Sequence, residues 1–301
     1  MHVLPSQKTS EVGGPTQPGN FPGSARRSPR HLVSEFLLAV LVFGCVVPHC
    51  LWRLVRLPSP WPRWFMIGTA RLCGVRRRTV GVPLKRDVFF VSNHLSWLDI
   101  PVIASANGTA FIAKHELAEA PVVGWLAKMN RTVFVSRADR MGVAEQINQL
   151  RDALADVWAI TIFPEGTTTD GLSLLPFKPS LLAVLDPPPP GIMVQPVAID
   201  YGAVAQEIAW VGVEAGQDNA VRVLSRKGSF PVTVHFLEPF NPRDFPGRKA
   251  ISAEARRRIA EAMEHNLGHP LRPFPGHDAL ATVPPGVAYE VPETTETSLP
   301  G

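Results

Sequence analysis

The segment Ser92-Asn93-His94-Leu95-Ser96-Trp97-Leu98-Asp99-Ile100 sets an imidazole and a carboxylate five residues apart, directly after the apolar run Val88-Phe89-Phe90-Val91. A histidine oriented by an acid keeps one ring nitrogen free as a base, and its cationic form is stabilised. Five residues on a regular α-helix turn through ~500°, leaving the two side chains ~140° apart. They therefore meet only if His94 lies on the turn after a strand and Asp99 lies in the first turn of the helix that follows. The bare pair fits a turn-capping histidine as well as a base. No serine or cysteine sits in a nucleophile-elbow context. Ser96 lacks flanking glycines. A base here would activate a substrate hydroxyl for direct attack on an acyl thioester, with backbone N–H groups at a strand–helix turn as oxyanion donors.

A second block follows about 70 residues later: Ile162-Phe163-Pro164-Glu165-Gly166-Thr167. Gly166 lets the backbone turn tightly or approach a ligand. Glu165 can accept hydrogen bonds from a polyol or order a cation, and the pentapeptide also reads as a plain strand-to-loop turn. Arg131 and Arg137 bracket the run Thr132–Ser136, which places two cations near the sheet rim, where an anionic head group could meet them. Val194-Gln195-Pro196-Val197 reads as a strand interrupted by proline, hence an edge or a bulge.

Short apolar runs alternating with helical periodicity make the region from about residue 80 an α/β domain, a mixed sheet flanked by helices. Strands are expected at 87–91, 109–113, 131–135, 159–163, 192–199 and 231–236. Helices are expected near 98–106, 116–129, 141–157 and 176–185, with a last helix capped by Ser252 and running to about 266. The boundaries follow composition: 1–30 disordered, 31–79 a membrane-associated helical segment, 80–267 the catalytic domain, 268–301 a disordered proline-rich tail.

Hydrophobic residues make up 45% of the 301, and the net charge is +4. Placement matters more than total. Arg53, Arg56, Arg63, Arg71, Arg76, Arg77, Arg78, Lys85 and Arg86 fall within 51–86 with no acid among them. Beside apolar sequence, such a cluster suits an anionic membrane surface. No nucleic-acid-binding module accompanies it. The run Phe36–Val47 would span ~18 Å as a helix, short of the ~30 Å hydrocarbon core; extended to 32–52 it takes in Ser34, Glu35, Pro48 and His49, which leaves an imperfect spanning helix and a half-inserted or re-entrant segment both open. Trp61 and Trp64 among arginines read as an interfacial segment. Cys45, Cys50 and Cys73 form no disulfide or zinc pattern. His265 and His269 lack a third ligand, so no metal site is expected.

The order of these blocks resembles the glycerolipid acyltransferase family, whose members include 1-acyl-glycerol-3-phosphate acyltransferases. The matching residues are Asn93-His94…Asp99, Thr132–Arg137, Phe163–Thr167 and Val194–Val197, in the family order over 93–197. The resemblance implies that His94 is the base for an acceptor hydroxyl and Asp99 its orienter. It implies that Arg137, Glu165, Gly166 and Thr167 help bind the acceptor. It implies a lysolipid acceptor, acyl-CoA or acyl-acyl carrier protein as cosubstrate with no other cofactor, and a membrane surface with the site facing the cytoplasm. Many members that use lysophosphatidate carry arginine where this chain has Thr168; Lys178 and Arg131 could compensate. The form F-P-E-G-T-T-x-D-G looks like the branch that acylates lyso-ornithine lipid. Lysophosphatidate is the default acceptor on this reading and lyso-ornithine lipid the alternative. A non-catalytic lipid-binding protein and a thioesterase are the rivals from other classes.

Overall fold

The computed structural model describes residues 29–54, 59–114, 116–119, 121–135 and 159–274. The two terminal segments expected to be disordered fall mostly outside the described residues, as do the expected helix 141–157 and Arg137. The strands are β1 (Val75–Val80), β2 (Val88–Ser92), β3 (Ala110–Lys114), β4 (Val133–Val135), β5 (Ala159–Ile162), β6 (Met193–Asp200) and β7 (Phe230–Phe236). The helices are α1 (Pro29–Leu54), α2 (Trp61–Leu72), α3 (Asp99–Asn107), α4 (Glu116–Glu119), α5 (Pro121–Met129), α6 (Ala205–Ile208), α7 (Gly216–Ser225) and α8 (Gly247–Leu267).

Among the described residues the strands form one sheet, in the order β1-β7-β6-β2-β5-β3-β4. The run from β6 to β4 is parallel; β7 is antiparallel to β6, and β1 is parallel to β7. This is the mixed α/β sheet expected from the sequence. Every residue of β2 is buried, because its two faces serve two cores. Phe90 packs with Met66, Val102, Ile103 and Val232 on the α2–α3 side. Phe89 and Val91 pack with Ile160, Leu182, Ile251 and Ile259 on the α8 side. A strand buried on both faces reads as a continuous apolar run rather than an alternating one.

Several elements differ from expectation. β1, Val-Arg-Arg-Arg-Thr-Val, lies inside the segment expected to be helical, so the sheet begins at Val75. Its composition hides it: five of its six residues are exposed, and only an edge strand tolerates charge in that density. The expected helix 116–129 is split into α4 and α5 at Pro121, which disfavours helix in the residue before it. The expected helix 176–185 is a 3₁₀ segment, Pro179–Leu185. α8 starts at Gly247, so Ser252 is not its cap. The Ser252 hydroxyl is buried and donates to the Phe177 carbonyl at 3.4 Å. α7 had no counterpart in the expectations. Among the described residues no helix is long and apolar enough to cross a membrane.

Pro196 is not on an edge, since β6 pairs with both β2 and β7. The expected irregularity is there in its other form. Val197 pairs with Phe236 while Val194 bridges Phe240, so Leu237, Glu238 and Pro239 face only Gln195 and Pro196. Gln195 ties the irregular stretch together. Its amide nitrogen donates to the Val82 and Leu237 carbonyls at 3.0 and 2.9 Å, and its oxygen accepts from Leu84 N at 2.9 Å. Gln195→Leu removes all three bonds and should cost on the order of 2 kcal/mol. Urea denaturation of the two proteins checks this; equal midpoints would deny Gln195 its role.

Candidate active site

β2, β5 and β6 are adjacent and parallel, and the site stands where all three end. In open α/β sheets this is where ligands bind. His94 follows β2, Glu165 follows β5 and Tyr201 follows β6. Asn93 clamps two of these ends: its side chain donates to Ile199 O at 3.1 Å and accepts from Ile199 N at 2.8 Å.

His94 sits on the turn and Asp99 opens α3, the one arrangement in which the pair can meet. His94 Nδ1 is 2.7 Å from Asp99 Oδ2. The same oxygen accepts from Leu95 N at 2.7 Å and Ser96 N at 3.0 Å, and Oδ1 accepts from the Tyr201 hydroxyl at 2.7 Å. Asp99 is fully buried, while the His94 side chain keeps 18% of its surface exposed. A carboxylate with four partners is compensated for burial. With Nδ1 engaged by the acid, Nε2 is the ring nitrogen that could take up a proton. Phe163 stacks on the imidazole at 4.0 Å between ring centroids and 15° between planes. The ring is held by an acid on its edge and an aromatic on its face.

Glu165 has a task other than the expected head-group contact. It is 1% exposed. One oxygen accepts from His94 N and the other from Leu175 N, both at 2.9 Å. The turn is thus pinned by two buried carboxyl groups, Asp99 from its own helix and Glu165 from the next strand. Burial pushes the Glu165 carboxyl up to about 8; Asp99 adds to the rise, and the two N–H bonds and Arg256 oppose it. Arg256 also carries Glu165's support, donating to Leu174 O at 2.7 Å and Leu175 O at 3.0 Å.

The rest of the block wraps the site. Gly166 adopts φ +72°, which a side chain would strain. Thr167 is exposed at the mouth. Thr168, at the position where the resemblance led us to look for an arginine, donates its hydroxyl to the Trp210 carbonyl. Thr169 N donates to His94 O at 2.8 Å. Lys178 comes next to the block through its backbone, Lys178 N donating to Pro164 O at 2.9 Å, and its side chain is exposed. Arg131 precedes β4, three strands from β2 and at the opposite strand end from the one His94 follows. The structure does not bring it to the histidine. Arg137 lies outside the described residues.

Tyr201, Leu175 and Arg256 were not found from the sequence. Tyr201 is distant from Asp99 in the chain, and a lone tyrosine after a strand carries no signal of its partner. Phe163 was visible as part of a block but not as a ring partner.

A carboxyl raised from 4.5 to about 8 in the fold contributes stability that is full below pH 4.5 and is lost as the pH rises toward about 8. Glu165→Gln should remove that component. Denaturant midpoints of the wild type should fall relative to the variant between about pH 5 and 8; parallel curves would contradict a buried neutral carboxyl.

A family model described as Acyltransferase matches residues 76–200. The lyso-ornithine lipid O-acyltransferase of Rhodobacter capsulatus is 32% identical over 272 residues, covering 84% of this chain and 96% of its own. That of Brucella abortus is 34% identical, covering 71% and 86%. A 1-acyl-sn-glycerol-3-phosphate acyltransferase of Neisseria gonorrhoeae is 37% identical over a shorter stretch, 38% of this chain and 44% of its own. The crystal structure of the 1-acyl-sn-glycerophosphate acyltransferase of Thermotoga maritima shares the fold, with a TM-score of 0.52 at 22% identity over 78% of this chain and 97% of its own. Identity of 32% sustained along 84% of this chain and 96% of its relative shows the lineage: the chain belongs to the glycerolipid acyltransferase family.

Proposed function

We propose that this acyltransferase esterifies the free hydroxyl of lyso-ornithine lipid, taking the acyl group from a thioester of CoA or of acyl carrier protein. The observation that carries the reaction is the 2.7 Å contact between His94 Nδ1 and a fully buried Asp99, with the imidazole partly exposed. Nε2 takes the proton of the acceptor hydroxyl as its oxygen attacks the thioester carbonyl. Asp99 stabilises the imidazolium that forms. The tetrahedral intermediate collapses with loss of the thiolate, which recovers the proton from His94. The products are the ester and the free thiol.

Two observations support this acceptor over lysophosphatidate. The relatives that match most of this chain bear the lyso-ornithine lipid name, and the Thr168 hydroxyl is spent on Trp210 O where an arginine would offer charge. Membrane access follows from α1. Phe36, Val40, Phe43, Val47, Leu51 and Leu54 recur at three- and four-residue steps and are all more than half exposed. Such a stripe, with Trp64 exposed beside it on α2, suits a helix lying in the interface.

His94→Ala should lower acceptor-dependent thiol release about 10²–10⁴-fold with the fold intact. A folded variant with near-normal turnover would remove His94 from the chemistry. Tyr201→Phe should lower kcat about tenfold through Asp99 while leaving the acceptor KM close to that of the wild type. Thiol release measured on paired lysolipids should favour lyso-ornithine lipid; a preference for lysophosphatidate would reverse the assignment. Phe36→Glu with Phe43→Glu should abolish co-flotation with lipid vesicles.

A further inference from the structure

The arginines of α2 and β1 do more than decorate an edge. Arg71, Arg76 and Arg77, with Gly74, Ser105 and Ser229, line a cavity of about 460 Å³ between α2, β1 and α3. No lining residue is acidic. Arg77 is anchored, its Nη1 donating to Ser105 Oγ at 2.6 Å, while the Ser105 hydroxyl donates on to Val102 O at 2.7 Å. Arg63 reaches the carbonyls at the end of α3, Ser105 O and Ala106 O, at 3.5 and 3.4 Å. Burial and the nearby charges of Arg63 and Arg71 all disfavour the Arg77 cation. Elsewhere the chain answers such crowding with acids: Arg222 meets Glu214, Arg226 meets Glu207, and Arg257 and Arg258 share Glu254. Among the described residues no ion pair does so for Arg63, Arg71, Arg76 or Arg77. Clustered guanidinium groups around a concave, acid-free space match phosphate oxygens, which they bind bidentately.

The cavity is placed to matter. β7 is antiparallel to β6, with Thr233 opposite Asp200, and Val75 is level with Phe230. The starts of β1 and β7 therefore lie at the rim where β2 and β6 end and His94 stands. Phe230 contacts the Tyr201 ring at 6.4 Å between centroids, and Tyr201 holds Asp99. α3 joins the two places, with Asp99 at its start and Ser105 six residues, or ~9 Å, along its axis.

We infer that this cavity binds a phosphate ester, the chemistry shared by the nucleotide end of an acyl-CoA donor and the head group of an acidic phospholipid. Only the donor source rests on the function proposed above; anion binding does not.

The test uses the full chain, in detergent with adenosine 3′,5′-bisphosphate as one probe, and after removal of detergent with vesicles of phosphatidylglycerol in phosphatidylcholine as the other. Arg71→Gln with Arg77→Gln should weaken at least one of them about tenfold or more. Arg71→Gln alone, which leaves the Arg77–Ser105 bond in place, guards against misfolding and should act in the same direction. Arg243→Gln with Arg248→Gln, two exposed arginines away from the cavity, should change neither. Loss confined to the bisphosphate, with a raised KM for acyl-CoA at unchanged kcat, assigns the nucleotide. Loss confined to the vesicles assigns the lipid head group. Wild-type binding of both probes by the cavity variants overturns the site, and so does an equal loss in the control pair, which would trace the effect to net charge. Should no acyl transfer be found with any lysolipid, bisphosphate and vesicle binding still decide the cavity.

Discussion

Two carboxyl groups removed from water hold the turn from Asn93 to Asp99. Burying an acid is costly unless its oxygens find donors. Here the donors are the N–H groups of the turn itself: His94 N serves Glu165, while Leu95 N and Ser96 N serve Asp99. The turn therefore cannot relax without stranding a buried acid. Reactivity depends on the same arrangement, because Asp99's remaining capacity goes to the imidazole and to Tyr201.

This mutual dependence reaches across the sheet. Glu165 comes from the end of β5 and Tyr201 from the end of β6, so both neighbours of β2 contribute to one side chain pair. Arg256 of α8 extends it to the far face by holding the carbonyls of Leu174 and Leu175. Asn93 locks β2 to β6 just before the histidine. An imidazole whose orientation is set by three strands and a helix is preorganised, as the proton transfer proposed for it requires.

Legibility in the sequence followed the range of the interaction. The His94–Asp99 pair was readable because both partners lie within one strand-to-helix turn, and helix geometry alone dictated where each had to be. The buried strand β2 was readable as an unbroken apolar run. β1 was not, because three arginines in a row match no strand pattern and only its edge position makes room for them. Tyr201 and Arg256 act over about a hundred residues or more of chain, a distance at which no local pattern reports a partner. Glu165 was found as a residue of note and given the wrong task. A glutamate in a glycine turn reads as a ligand contact, and nothing in its neighbours reveals that Leu175 and His94 bury it.

The same hydrogen-bond economy constrains where the oxyanion of the tetrahedral intermediate can be stabilised. A strand–helix turn with free N–H groups is the usual place to look, and the sequence pointed there. In the folded chain His94 N, Leu95 N and Ser96 N are all committed to carboxylates, and Gly166 N donates to Phe163 O at 3.1 Å. Diverting any of the first three to an oxyanion would leave part of a buried acid unmet at the moment the imidazole becomes cationic. The turn is thus built to steer the base, and stabilisation of the oxyanion has to come from donors outside these four.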